Sequence, residues 1–216
     1  MDTKILSGKD VSTTTYQALQ SRIKALKSQS VVPGLAVLLV GEDAGSQIYV
    51  RNKTKKFADL GLHSNTFQYS SSISQEDLLL KIRELNNDDR FHGILVQLPL
   101  PKHIDEYKVL RAMDPKKDVD GFHPFNLGLL AAGKPYFVPC TPKGIMRILA
   151  YYQIDLSGKN VVVVGRSNIV GRPISILTSL KQKYANATTT ICHSGTSDIF
   201  DYTKRADIII LAIGSP

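Results

Sequence analysis

The chain has 216 residues, 27 basic and 19 acidic, for a formal charge of +8, and 43% of its residues are apolar types. That apolar share is ordinary for a soluble globular protein and too high for a disordered or low-complexity chain. No apolar run approaches the ~20 residues of a membrane-spanning helix, and the start MDTKILSGKD lacks a signal-peptide core. Cys140 and Cys192, without CxxC or a flanking His pair, offer neither a disulfide framework nor a zinc site. A reduced cytoplasmic protein, with no metal and no membrane contact, is the expectation. The length admits one large domain or two small ones. The basic excess calls for an anionic partner. Scattered aromatics without RNP-like or zinc-finger spacing argue against nucleic acid and for a small phosphate- or carboxylate-bearing ligand.

Helical and strand periods alternate along the chain with short connections, which predicts an α/β architecture. Asp10 to Lys27 reads as an amphipathic helix with Val11, Tyr16, Leu19, Ile23 and Leu26 on one face. After Pro33-Gly34, LAVLLVG (35–41) is continuously apolar, like a buried parallel strand. A helix follows from Ser46 to Leu60, closed by Gly61 where left-handed caps occur. Leu62 to Tyr69 is a second strand. Ser74, with Asp77 three residues on, opens a helix to about Asn87 in the manner of a capping box. GILVQLPLP (93–101) is a third buried strand, stopped by its prolines.

From Lys102 to Pro142 periodicity fades, and an irregular functional stretch is expected. Thr141-Pro142 opens a helix to about Gln153, and the domain boundary is placed at 142/143. The second half runs as a strand ending at Gly165, a helix over Gly171 to Tyr184, strand ATTTICHS, a short helix near Asp198–Lys204, and strand ADIIILAIG. Two open α/β domains result, the second of Rossmann type. No internal repeat is visible in the sequence.

VVVVGRSNIVGRP joins an apolar strand to a helix through Gly165 and Gly171. Such a turn suits a dinucleotide, because glycines let the backbone approach the pyrophosphate at a helix N-terminus. Ser167 stands where the middle glycine of GxGxxG is usual, so an ordinary strand-to-helix turn is the alternative. The next strand ends Cys192-His193-Ser194, with no carboxylate for ribose hydroxyls. Arg166, Ser194 and His193 could instead meet a 2′-phosphate, which favours NADP over NAD.

Tyr49 and Lys53 lie four residues apart and share a helix face. A lysine beside an aromatic ring in a cleft can donate a proton, or act as a base if burial depresses its pKa. A solvated lysine is the alternative. Gln97 interrupts an apolar strand, and a buried amide without partners would cost about 1–3 kcal/mol. A ligand or a hydrogen bond to the following loop should therefore meet it. KKDVDGFHPFNLG (116–128) places Asp118 and Asp120 around a turn glycine. Paired acids suggest a metal, but no further oxygen ligands follow at loop spacing. One carboxylate gripping a substrate N–H edge, or an Asx-turn holding the loop, is simpler.

Taken in order, GSQIYVRNKTK, GILVQLPLP, KDVDGFHPFNLG, PCTPKGIM, GRSNIVGRP and ATTTICHSGT closely resemble the bifunctional methylenetetrahydrofolate dehydrogenase/methenyltetrahydrofolate cyclohydrolase family. The resemblance spans essentially the whole chain. It implies two α/β domains with folate bound in the cleft between them, folate binding over 1–142, NADP binding over 143–216, and a homodimer. It further implies oxidation of 5,10-methylenetetrahydrofolate with NADP and hydrolysis of the product to 10-formyltetrahydrofolate. Lys53 would handle protons in hydrolysis, Tyr49 would stack on the folate ring system, and Gln97 would bond to Lys53. Asp120 would hold the pterin edge, and Ser46 would complete the substrate motif. Gly165, Arg166, Ser167, Gly171, His193 and Ser194 would bind the cofactor. Family members continue past Pro216 with further strands, a PGGVGPMT-like loop and a closing helix. The resemblance thus implies a chain lacking that part, with an inactive fragment or a silent binding module as the competing readings.

Overall fold

Helix α1 (Gly8–Ser28) leads into β1 (Gly34–Val40), whose seven residues are all buried. The computed structural model describes residues 3–214. Its contacts divide it into two units, one over residues 15–124 and the other from Phe125 onward together with the segment up to Thr14.

In the first unit, β1 is followed by α2 (Ala44–Asp59), β2 (His63–Tyr69), α3 (Gln75–Asn86) and β3 (Gly93–Val96). The strands form a parallel sheet in the order β2-β1-β3. Side chains alternate across β1, so both faces need cover. Ala36, Leu38 and Val40 pack with Leu78, Ile82 and Leu85 of α3. Leu35, Val37 and Leu39 pack with Val50 of α2 and Leu95 of β3. Each Leu or Val so removed from water stabilises the fold by about 1.5–3 kcal/mol. Helix α3 begins as the Ser74–Asp77 pair predicts: the Ser74 hydroxyl accepts from the Asp77 amide at 3.1 Å and donates to its carboxylate at 2.8 Å.

The expected irregular stretch over 102–142 is corrected, for it contains α4 (Glu106–Ala112) and α5 (Pro124–Ala131). Both are short, so their periodicity is faint. Their start signals are local: the Asp105 carboxylate accepts from the Lys108 amide at 3.2 Å, and Pro124 takes the first helical position. The third strand is also shorter than expected. Its ladder ends at Val96, because Pro99 and Pro101 have no N–H to give.

The second unit contains α6 (Cys140–Tyr151), β4 (Asn160–Val164), α7 (Gly171–Ser179), β5 (Thr188–Cys192), α8 (Ile199–Thr203) and β6 (Ile208–Leu211). Its parallel sheet has the order β5-β4-β6. Val161 and Val163 of β4 pack with Leu149, Ile174 and Leu177, while Val162 and Val164 pack with Cys192 and Ile199. Helix α7 stops five residues before the predicted Tyr184. Leu180 turns extended, and Tyr184 and Asn186 take left-handed φ values of 62° and 68° to lead back into β5. Leu130 of α5 packs with Leu149 and Leu156, so residues 125–142 belong with the second unit and not before a boundary at 142/143. Among the described residues no helix is long and apolar enough to cross a membrane.

Candidate active site and dinucleotide turn

In the first unit, three segments meet over one small apolar cluster. Val50 of α2, Leu95 of β3 and the partly buried Val119 pack together with β1. That contact brings the helix carrying Tyr49 and Lys53 to the strand end carrying Gln97 and to the loop carrying Asp120. The loop is tied to β3 by a bond from the Ile94 amide to the Lys117 carbonyl at 2.7 Å and a parallel bridge between Ile94 and Asp118.

Helix α2 starts two residues before the predicted Ser46, at Ala44. The Asp43 side chain caps it, accepting from the Ser46 amide at 2.7 Å. Those bonds with Ser46 hold the Asp43 carboxyl below its ordinary range. Ser46 is buried in the first turn. One turn on, the Tyr49 ring is 59% exposed, and the Lys53 ammonium lies 4.8 Å from its centroid. The predicted sharing of one face is therefore observed.

The expected bond between Gln97 and Lys53 is not formed. Gln97 Nε2 donates to its neighbour's carbonyl, Leu98 O, at 2.9 Å. Its Oε1 is buried without a hydrogen-bond partner. The Gln97 backbone amide donates to Leu38 O at 2.9 Å, which fixes the residue just beyond β3. A buried acceptor of this kind costs about 1–3 kcal/mol until a donor reaches it. Lys53 instead rests on the Tyr49 ring, a contact worth only about 0.5–1 kcal/mol at an exposed site.

The two aspartates separate in role. Asp118 is fully buried, and its carboxylate accepts from the amides of Gly121 (3.1 Å), Phe122 (3.2 Å) and His123 (2.8 Å). It is the Asx-type anchor of the loop. Asp120 is half-buried beside it. Among the described residues no group of three or more His, Cys, Asp or Glu could hold a metal ion. A cavity of about 470 Å³, lined by Ser30, Val32, His63, Arg90 and His92 among others, lies at the opposite, amino-terminal ends of β1 and β2. Open α/β sheets bind ligands at the carboxyl ends of their strands, which makes the Tyr49–Lys53–Gln97–Asp120 end the candidate site.

In the second unit the glycines of the turn are sterically required. Gly165 has φ +126°, and a Cβ there would stand 2.3 Å from Ala212 O. A Cβ on Gly171 would stand 2.2 Å from Gly165 O. The turn is therefore closed upon itself, with backbone where side chains would otherwise be. The Ser167 hydroxyl works inside it, accepting from the amides of Val170 at 3.1 Å and Gly171 at 3.4 Å. No acidic residue lies in the first turn of α7. Arg166, beyond β4, and His193, beyond β5, approach to 3.4 Å, Nη1 to Nε2. Ser194 is exposed next to them. A cradle that admits only glycine, beside an arginine and no carboxylate, fits a dinucleotide with a phosphorylated ribose.

Sequence reasoning misses Asp43 and Thr196. Asp43 lies three residues before Ser46, a spacing that signals an N-cap. Thr196 caps the turn after β5, accepting from the His193 amide at 2.9 Å, and carries no comparable signal.

Comparison with known proteins agrees with this fold. Residues 6–120 match the tetrahydrofolate dehydrogenase/cyclohydrolase catalytic domain, and residues 139–216 match the NAD(P)-binding domain of the same family. The bifunctional protein FolD of Enterococcus faecalis is 51% identical over 210 residues, covering 97% of this chain and 73% of that protein. The crystal structure of the Campylobacter jejuni bifunctional enzyme FolD superposes with a TM-score of 0.93 at 44% identity, over 98% of this chain and 74% of that one. The Trypanosoma brucei enzyme, complexed with NADP cofactor and inhibitor, gives 0.92 at 34% identity over 100% and 73%. Both domains match in order and about half the aligned residues are shared with a bacterial FolD, so the chain belongs to the tetrahydrofolate dehydrogenase/cyclohydrolase family.

Proposed function

We propose that this chain carries the family's two activities, with the folate-handling residues in the first unit and the cofactor-handling residues in the second. Those activities are NADP-dependent oxidation of 5,10-methylenetetrahydrofolate and hydrolysis of the methenyl product to 10-formyltetrahydrofolate. Tyr49 offers its exposed ring for the folate ring system to stack on, and Asp120 accepts from the pterin N–H edge. Lys53 moves protons as water opens the methenyl bridge. The observation that carries this reading is the buried, partnerless Gln97 Oε1 at the end of β3. It is an acceptor waiting for a donor, and Lys53 on the adjoining helix is the cation that can supply one. A neutral amide in that place need not pin the lysine as ammonium, whereas a carboxylate would. Ser46, buried at the start of α2, orients the turn before Tyr49.

When bound, NADP accepts a hydride from the methylene carbon. The residues of this chain need only hold the two reactants close and aligned. Gly165 and Gly171 let the backbone close tightly into a turn that a pyrophosphate can approach, Ser167 fixes its shape, and Arg166 and Ser194 face the ribose phosphate. The excess positive charge suits a substrate and cofactor that are both anionic. Family likeness supports a homodimer in the cytoplasm, acting in one-carbon metabolism.

The test is a spectrophotometric assay of this chain with methylenetetrahydrofolate and either NADP or NAD. Reduction of NADP well ahead of NAD, followed by decay of the methenyl absorbance, is expected. A folded chain that binds folate yet reduces neither nucleotide would show a silent binding module instead.

A further inference from the structure

The loop that carries Asp120 is held by two side chains outside the group Tyr49, Lys53, Gln97 and Asp120. Asn86, the last residue of α3, uses both polar atoms of its side chain on the chain leaving α4. Its Nδ2 donates to Ala112 O at 2.8 Å, and its Oδ1 accepts from the Asp114 amide at 2.8 Å. Further along, the half-buried Lys117 reaches the same helix end. Its ammonium donates to Leu85 O at 3.0 Å and to Asp88 O at 2.9 Å. Carbonyls at a helix C-terminus lack partners within the helix, and the helix dipole favours a cation there. The neighbouring Lys116 is exposed, and its amide donates to the Asp114 carboxylate at 2.8 Å.

The Lys117 backbone is fixed as well. Its amide donates to Asp114 O at 2.8 Å, and its carbonyl accepts from the Ile94 amide of β3 at 2.7 Å. One residue thus joins α3, β3 and the loop. Next to it, the Asp118 carboxylate accepts from the amides of Gly121, Phe122 and His123. Asp120 lies between these fixed points, with Lys117 and Asp118 before it and the bonded amides after it. A hydrogen bond weakens steeply past about 3.2 Å, and a misplacement of about 1 Å is enough to lose a ligand contact. Freeing the Lys117 end therefore acts on what Asp120 can reach.

We propose that Lys117 and Asn86 are positioning residues for folate binding: they fasten the loop to the end of α3 and so hold the Asp120 carboxylate in reach of the pterin N–H edge. This rests on the assignment of Asp120 to that edge and adds the two residues through which α3 sets its position. Neither side chain needs to touch the folate. Lys117 serves by its donors, and Asn86 by pairing one donor with one acceptor. A carboxylate at position 86 would set an oxygen against Ala112 O. An apolar side chain at position 117 would deprive Leu85 O and Asp88 O of this donor.

Calorimetric titration of the whole chain with tetrahydrofolate, and separately with NADP, reads both affinities without any turnover. Lys117→Met keeps the stem and removes the donors. It should weaken tetrahydrofolate by roughly tenfold, the value of one charge-assisted hydrogen bond, and leave NADP unchanged. Lys117→Arg, which still presents donors to both carbonyls, should recover most of that loss. Asn86→Asp should weaken tetrahydrofolate about threefold, and Lys116→Met should bind as the unaltered chain does. In an Asp120→Ala background, Lys117→Met should cost nothing further, because its effect passes through that carboxylate. A lysine with a purely structural role would lower the urea midpoint and leave both affinities alone. That result, or the full tenfold loss repeated in the Asp120→Ala background, would overturn the positioning role while leaving Asp120 on the pterin edge. Asn86→Asp carries the same test should Lys117→Met not fold: binding of tetrahydrofolate at the unaltered strength would overturn the proposal. Asp120→Ala binding tetrahydrofolate as tightly as the unaltered chain would overturn both the positioning role and the assignment of Asp120.

Discussion

The two units share one plan and differ in the turn that leaves the central strand. Each is a three-stranded parallel sheet with its first strand in the middle, in the orders β2-β1-β3 and β5-β4-β6. After β1 comes Gly41 at φ +85°, then Asp43, whose own carboxylate fills the N-terminus of α2. After β4 comes Gly165 at φ +126°, then a turn with no acid before α7. A helix start that carries its own anion repels another, whereas one without an anion attracts a phosphate. On the proposed reading, the same scaffold leaves its first turn to side-chain chemistry at Tyr49 and Lys53 and gives its second to a dinucleotide.

The largest break in this contrast should come from Gly171→Val. The added side chain would meet Gly165 O and Arg166 N. NADP binding should vanish, and the chain should lose about 3 kcal/mol of stability in urea unfolding. Arg166→Gln comes next. It should raise KM for NADP roughly 10- to 100-fold and KM for NAD little, since it removes a charged donor that only the 2′-phosphate uses. Equal changes for both cofactors would exclude a contact between Arg166 and the 2′-phosphate.

On the first unit, Asp118→Ala strands three backbone donors around a position whose own side chain is fully buried. A loss of about 2–4 kcal/mol is expected, with folate affinity falling as the Asp120 loop loosens. Unchanged stability would show that water replaces the carboxylate. The smallest effect belongs to Asp88. Hydrogen bonds from Arg90, side chain first and then backbone, lower its pKa from 3.8 to about 2. Its contribution is then present above pH 3.8 and disappears as pH falls through about 2. Urea midpoints of Asp88→Asn and the unaltered chain should differ slightly at neutral pH and converge once the pH is below that folded-state value.

Much of this was legible in the sequence because it depends on short-range patterns. Continuous apolar runs mark β1 and β4, the Ser74–Asp77 spacing marks the start of α3, and the four-residue spacing of Tyr49 and Lys53 puts them on one face. The two glycines of the cofactor turn are legible for the same reason. The features that escaped depend on contacts distant in sequence. Helices α4 and α5 are too short to show a period. The early stop of α7 follows from the need to return into β5. The Gln97 amide turns to Leu98 O and leaves Oε1 bare, a rotamer choice that no spacing records. The turn after β5 is tied by a threonine three residues past His193, an ordinary residue until its hydroxyl is seen to accept from the His193 amide.

The assignment of Lys53 to the hydrolytic step is tested most directly by following both absorbances, reduced nicotinamide and methenyltetrahydrofolate, in one reaction of the Lys53→Ala variant. NADP should still be reduced while the methenyl product accumulates, its hydrolysis slowed by ~10²-fold or more. Hydrolysis at the unaltered rate would contradict the assignment of Lys53.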